Sequence, residues 1–372
     1  MSGLGVYIHV PFCKRKCNYC DFCSYTDRDG TVMRAYVREL CRRISEFADS
    51  HKDSTVDTVY LGGGTPTLLP AECFGQIMDT LRASFDLSVG AEITVECNPA
   101  TVGLDGLRHL RELGINRLSI GAQSANEREL ALLGRLHSFE ELKRVFYDAR
   151  AAGFDNISVD LMYGIPEQTV ESFGHTLEEI VALAPEHISA YGLKIEKGTA
   201  FWSARKELRL PDEDTELAMY TLCTEYLAAN GYKRYEISNF ARDGRESRHN
   251  LRYWRLEDYI GFGVAAHSCV DGERFGNSRD MDGFLAGRDI TEERYTVSEE
   301  ERRREYIMLG FRLGEGLSYS EYKQRFGREL AKDCAALGQM IRGGFLKERD
   351  GRVAFTTEGF FVSNAVLCEL LD

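Results

Sequence analysis

The 372-residue chain reads as an α/β protein built on parallel strands, and three observations lead there. Strand-like and helix-like segments alternate at roughly thirty-residue spacing, the period that strand–helix–strand units require. The helix-like segments carry apolar residues at three-to-four spacing. Polar and glycine-rich residues fall at or just after the C-terminal ends of the expected strands, where parallel sheets hold their ligands.

Taken in order, strands are expected at residues 5–10, 57–61, 92–97, 117–121, 157–161, 188–193 and 234–238. Segments such as GVYIHV and DTVYL are rich in the β-branched and aromatic residues that suit a pleated surface. Between the strands, FEELKRVFYDARAAG places Leu142, Val145, Phe146 and Ala149 on one helical stripe. Eight full strand–helix units cannot be counted, and an open, doubly wound sheet would show the same periodicity. After about Thr296 the pattern changes. EERRREYIMLGFRL, SYSEYKQRFG and ELAKDCAALGQMIRGGFL read as three helices, followed by a glycine-centred hairpin in KERDGRVAF and a last helix. The organisation expected is therefore a first domain over 1–240, a connecting region over 241–295 and a smaller C-terminal domain over 296–372.

Composition narrows the setting. Hydrophobic residues make up 43% of the chain, enough for a real core. The stretch MSGLGVYIHV lacks a charged region followed by a long apolar run, and no later segment approaches the ~20 apolar residues of a membrane span. A cytoplasmic protein is expected. Apart from one group, the 11 cysteines are scattered singly, which suits reduced, buried thiols and not a disulfide framework. A net charge of −13 argues against nucleic acid as the main partner, because that binding depends on Lys and Arg neutralising phosphates.

The grouped cysteines are the most informative feature. Cys13, Cys17 and Cys20 lie in HVPFCKRKCNYCDFCSY with C-x3-C-x2-C spacing, so three thiolates share one short loop. Four protein ligands complete a structural zinc site or an ordinary iron–sulfur cluster, whereas three leave one metal position open to a small molecule. Half of a zinc site completed elsewhere and a redox loop remain the plainer readings. The strand-end residues Gly62 to Thr65, Glu96 with Asn98, Gln123 and Asp160 are each ordinary turn formers when taken singly. Four such groups in succession favour a shared ligand face.

The segments YIHVPFC, CNYCDF, YLGGGTPTLL, INRLSIGAQS, LGRLH and SVDLMYGIPEQT, in this order, resemble the radical S-adenosylmethionine (SAM) superfamily. More narrowly they are similar to the oxygen-independent coproporphyrinogen III dehydrogenases and the heme chaperones related to them. The resemblance implies a partial (β/α)6 TIM-like barrel with a smaller α+β, winged-helix-like C-terminal domain. It implies that Cys13, Cys17 and Cys20 hold a [4Fe-4S] cluster whose remaining iron binds SAM. Tyr7, Tyr19, Gly63, Gly64, Thr65, Glu96, Gln123, Arg135 and Asp160 match its SAM contacts. Gln123, Arg135 and Asp160 correspond partly to a second SAM of the dehydrogenase.

This chain departs from the dehydrogenase in several places. Its next cysteine, Cys23, stands three positions after the third and not two, so it is not taken as a ligand. The chain starts almost at its first strand, where the dehydrogenase carries a long extension. Lys194 and His267 stand where that enzyme has small or aliphatic residues near SAM. His249-Asn250-Leu251-Arg252-Tyr253-Trp254, in contrast, reproduces the H-N-x-x-Y-W motif of heme chaperones. Imidazole is a good axial ligand for heme iron, so His249 is the expected heme ligand, with His267 a weaker second candidate. Tyr253 and Trp254 supply flat apolar area.

The reading is a heme chaperone that binds heme beside a SAM-ligated cluster and delivers it to recipient heme proteins, with the question of catalysis left open. The alternative is the dehydrogenase, with radical decarboxylation of propionate side chains; heme breakdown by radical methyl transfer is a more distant class. A reductant protein such as a flavodoxin or ferredoxin is implied. A homodimer and a transient membrane or membrane-protein contact are further expectations. The third helix of the C-terminal domain offers few basic residues for a DNA groove, and the domain is read as a cover or docking surface.

Overall fold

Period-two alternation decides the architecture. In the computed structural model, which describes residues 3–27, 29–51 and 54–371, six strands run parallel in chain order: β1 (Leu4–Val10), β2 (Thr55–Gly63), β3 (Asp86–Cys97), β4 (Arg117–Gln123), β5 (Ile157–Tyr163) and β6 (His187–Gly192). Val59, Leu61, Val95, Leu118, Ile120, Val159, Leu161 and Ile188 belong to the main core. The alternate positions Tyr60, Glu96, Arg117, Ser119, Asp160, His187 and Ser189 instead line a cavity inside the curved sheet. A packed barrel fills its interior with branched apolar side chains. Here the interior is polar, as a polar guest requires.

The crossover helices Thr31–Ser50, Ala71–Ser84, Leu104–Glu112, Phe139–Ala151 and Val170–Ala182 connect successive strands. Local chemistry starts two of them. Ser138 and Glu141 form a capping box ahead of Phe139–Ala151, and Thr169 with Ser172 does the same for Val170–Ala182.

Short strands extend both edges. β7 (Lys233–Arg234) and β8 (Asn239–Ala241) add to β6 in antiparallel fashion, while β9 (Tyr259–Phe262) lies parallel to β1 and is followed by β10 (His267–Val270), β11 (Glu273–Asn277) and β12 (Thr291–Thr296). Among the described residues no ladder joins the two edges. The sheet is thus an open, six-unit partial barrel, and the segment 241–295 contributes four of its strands. The strand expected over 234–238 does not form. The chain turns there into the β7–β8 hairpin, and the Glu236 carboxylate accepts a hydrogen bond from the Ser238 N–H.

A second core gathers Ile307, Phe311, Tyr322, Leu337, Val353, Phe355 and Leu367 around the three-stranded sheet of β13 (Leu317–Ser318), β14 (Leu346–Arg349) and β15 (Arg352–Phe355), ordered β13-β15-β14. The third helix expected here is broken into Leu330–Asp333 and Leu337–Arg342. Asp333 ends the first piece, its carboxylate held by Arg328 and the Tyr322 hydroxyl. Tyr220 of the helix Glu213–Ala229 belongs to this second core, and the Arg234 guanidinium lies 4.1 Å from the Phe360 ring centroid. The C-terminal unit therefore packs against the barrel. Among the described residues no helix is long and apolar enough to cross a membrane.

Candidate functional site: the barrel cavity and the cysteine loop

The cysteine loop leaves β1 through Pro11 and Phe12 and is fastened at both ends. Cys13 N–H donates to Tyr25 O at 2.9 Å and Tyr25 N–H to Pro11 O at 2.7 Å. Farther along, Asn18 N–H donates to Leu133 O at 3.0 Å and its side-chain amide to Leu132 O at 2.8 Å. These bonds tie the loop to the C-terminus of the helix Glu127–Leu133, whose carbonyls are free to accept.

Cys13, Cys17 and Cys20 are half-buried and line one end of a cavity of about 370 Å³. Among the described residues no three metal-ligating side chains converge closely enough to hold a single ion. Three thiols on one loop suit a polynuclear cluster, in which each would take a different iron. Two donors already address the sulfurs: Thr65 Oγ1 stands 3.6 Å from Cys13 Sγ, and Arg135 Nη1 stands 3.6 Å from Cys17 Sγ. Burial raises the Cys13 and Cys20 thiols above their usual range, so they are neutral until a metal takes the proton's place. Cys23 is buried in the main core and lines no part of the cavity.

The same cavity receives Tyr19, Gly63, Gly64, Thr65, Glu96, Gln123, Arg135 and Asp160. Gly63 has φ +111°, and a Cβ there would come within 2.6 Å of the His9 ring; one on Gly64 would meet Phe12 O at 2.7 Å. Only glycine leaves this backbone open to a guest. Gly63 N–H donates to Glu96 Oε2 at 3.0 Å, and the Tyr60 hydroxyl donates to Oε1 at 3.0 Å. Burial, then the neighbouring Asp160, push the Glu96 carboxyl up to about 7. Asp160 is also raised by burial, although the Ser119 hydroxyl lies 3.1 and 3.0 Å from its two oxygens. Gln123 adopts φ +69° where the β4–β5 register slips, which turns the strand end over the cavity. Arg135 Nη2 donates to Gly121 O at 2.8 Å. A cationic guest would meet an acid pair, and a carboxylate would meet Arg135.

Three expected residues do not line the cavity. The Tyr7 hydroxyl lies 2.9 Å from His9 Nδ1, and its ring centroid lies 6.2 Å from that of Tyr60 and 6.5 Å from that of His249. His249 is fully buried in the first turn of the helix Arg248–Arg255. Its Nδ1 lies 2.9 Å from Thr58 Oγ1 and its Nε2 lies 2.8 Å from the Tyr253 hydroxyl. Burial, followed by Arg252 and Arg117, lowers its pKa to about 3. With both ring nitrogens engaged, His249 does not present an iron ligand in this arrangement. His267 stands exposed on β10 and lines neither this cavity nor its neighbour.

Sequence reasoning missed Tyr60, Arg117, Ser119, His187, Ser189 and Tyr191, all of which line the cavity. The signal was present: Arg117-x-Ser119, Ser158-x-Asp160 and His187-x-Ser189 place a polar residue at every second position of strands otherwise apolar. Arg117 is 1% exposed and its Nε has no hydrogen-bond partner. Such a group in a polar interior fits a bound polar molecule or water.

Comparison with known proteins gives the family. Residues 7–180 match the radical SAM superfamily and residues 297–362 the HemN C-terminal domain. Coproporphyrinogen III oxidase (HemN) from Escherichia coli, a radical SAM enzyme, superposes with a TM-score of 0.84 over 99% of this chain and 90% of that one, at 24% identity. Fold, cysteine loop and glycine cradle together define a radical SAM protein, a class whose cofactors are a [4Fe-4S] cluster and SAM.

Full-length relatives narrow the class. The Heme chaperone HemW of Bacillus subtilis (strain 168) is 34% identical, covering 97% of this chain and 97% of its own, and the Heme chaperone HemW of Escherichia coli (strain K12) is 36% identical, covering 99% and 98%. This chain belongs to the HemW family.

Proposed function

We propose that this protein is a cytoplasmic heme chaperone that binds heme beside a SAM-ligated [4Fe-4S] cluster and hands the heme to recipient heme proteins. One observation carries the reading: the cavity that receives the cysteine loop continues into a cleft lined by the HNxxYW helix, with Tyr19, Cys20, Phe22, Tyr191 and Asn250 common to both. A cluster site and a site shaped for a flat aromatic guest thus share a wall.

In this reading Cys13, Cys17 and Cys20 hold three irons, and SAM takes the fourth. Gly63, Gly64 and Thr65 would receive its methionine portion, Glu96 and Asp160 would face its positive charge, and Arg135 steadies the Cys17 sulfur and the β4 end. The cluster, when bound, supplies one electron from a reductant protein such as a flavodoxin or ferredoxin. A homodimer and a transient contact with a membrane or membrane protein belong to the delivery step.

The test is an anaerobic heme titration of the cluster-reconstituted protein, followed by mixing with a heme-free acceptor. Saturable binding with heme appearing on the acceptor is expected. No binding would overturn the reading. Incubation with coproporphyrinogen III, SAM and reductant separates the dehydrogenase reading, because loss of two carboxyl groups by mass would show turnover where a chaperone shows none.

A further inference from the structure

A separate groove of about 700 Å³ lies where the end of the large sheet at β7 meets the β14–β15 hairpin of the C-terminal unit. It shares no residue with the barrel cavity or with the cleft beside it. Four cations line it, Lys233 and Arg234 from one wall and Lys347 and Arg349 from the other, and no acid does. On a chain of net charge −13, such a gathering suits an anionic guest.

The acids near the groove do not cancel these charges. Asp243 pairs with Lys233 at 2.7 Å, with Glu246 adding to its field, and Asp350 pairs with the adjacent Arg349 at 3.1 Å. Both pairs are exposed, so each contributes at most about 1 kcal/mol and yields to a better-placed carboxylate. Glu348 accepts from the Tyr319 hydroxyl, and Glu315, next to Gly314, is taken up by Arg255 and Arg352. Glu225 follows Thr224 on the helix Glu213–Ala229 and is exposed. Lys347 is exposed and has no ion pair among the described residues. Arg234 engages the Tyr220 and Thr224 hydroxyls through Nη1 alone.

The two walls differ in their backbone. β7 ends the large sheet, but Gly314 N–H donates to Tyr235 O at 2.8 Å and Glu236 bridges to Leu313, which closes that edge. β14 ends the small sheet and pairs only with β15. The turn at Asp350 and Gly351, both with positive φ, pairs Arg349 with Arg352. The N–H and C=O of Glu348, one residue back, therefore face the open edge. Lys347 and Arg349, on either side of it, put their side chains on one face of the strand.

We propose that this groove docks an extended acidic segment of a partner protein. The segment adds to β14 as a further strand, and carboxylates at its alternate positions meet Lys347 and Arg349. An anionic lipid or a nucleic acid would use the cations but leave the strand edge idle.

The experiment uses the full-length, cluster-reconstituted protein and a fluorescein-labelled octapeptide that alternates glutamate with threonine, followed by fluorescence anisotropy. Saturable binding is expected. Joint substitution Lys347→Glu and Arg349→Glu should weaken it about tenfold, the size of two cross-strand charge pairs turned repulsive. Asp243→Asn should tighten it about twofold by releasing Lys233, a gain that a damaged fold does not give. Two further peptides, N-methylated at the threonine or at the glutamate amides, keep the charge. One should lose binding and the other retain it, because only one set of amides faces a neighbouring strand. Equal binding by both would overturn strand addition. No binding of the octapeptide, or binding indifferent to Lys347 and Arg349, would overturn the proposal. If phosphatidylglycerol vesicles or duplex DNA bind through these cations where the peptide does not, the partner class is wrong.

Discussion

The strand ends around the cysteine loop and the HNxxYW helix carry motifs of similar length, yet only the first converges on one cavity. Motifs at the ends of parallel strands converge because the sheet delivers every C-terminal end to the same rim. Glu96, Gln123 and Asp160 are far apart in sequence and still line one cavity with Gly63 and Cys17. A helical motif is distributed by rotation instead. His249 is enclosed between Thr58, Tyr60 and Tyr253, while Asn250 and Trp254 face the cleft. Topology gathers the first set, and a turn of about 100° per residue parts the second.

The largest expected effect sharpens the strand-end side. Replacing Cys13, Cys17 or Cys20 by serine should abolish the iron–sulfur absorption of reconstituted protein, whereas Cys23→Ser should leave iron and sulfide content unchanged, because Cys23 packs in the core away from the cavity. Loss of the cluster in Cys23→Ser would show that the loop rearranges around the metal.

Glu96 gives a pH signature. Its carboxyl sits near 7 in the folded protein against about 4.3 unfolded, so between those values the native state holds the extra proton. The contribution of Glu96 to the stability of cofactor-free protein is therefore greatest below the unfolded value and falls as pH rises toward 7. The loss is at most about 4 kcal/mol, and less to the extent that cavity water solvates the carboxylate. Binding of cationic SAM favours the ionised form. Its affinity, measured calorimetrically, should accordingly increase from pH 6 to 8, and Glu96→Gln should flatten both trends. An unchanged slope in the variant would assign the proton to another group.

A smaller effect belongs to the glycine cradle. Gly63→Ala must hold φ +111° and crowd the His9 ring, at a cost of about 1–3 kcal/mol read from denaturant unfolding. SAM affinity should fall with it. Gly75→Ala makes a useful control, since nothing lies within 4 Å of its added Cβ.

Much of the barrel was legible because its signals are local. Gly63 and Gly64 announce close backbone approach, the cysteine spacing announces a metal loop, and apolar alternation announces β1 through β6. Glu236 and His249 were less legible for a common reason. The hairpin around Glu236 depends on a side-chain oxygen accepting from Ser238, and the burial of His249 depends on Thr58, 191 positions away. Neither partner is visible in a local window. The break before Leu337 is similar, since Asp333 is drawn off by Arg328 and Tyr322 and not by a helix-breaking residue.

The smallest expected effect probes the helix side most directly. If His249 serves the packing between helix and sheet, His249→Gln should lower stability by about 1–2 kcal/mol, the cost of leaving a buried hydrogen-bond partner unsatisfied. The hydroxyls of Thr58 and Tyr253 both lose a well-placed ring nitrogen, and Arg252, which bonds Thr58 Oγ1 at 3.0 Å and pairs with Asp57, would carry part of the strain. Thr58→Val should then cost a similar amount, and the double substitution should cost less than the sum, because the two residues share one hydrogen bond. Additive losses would show that His249 acts independently of the sheet. In that case the helix side would resemble the strand ends after all, with its histidine free to serve a ligand and not committed to the wall.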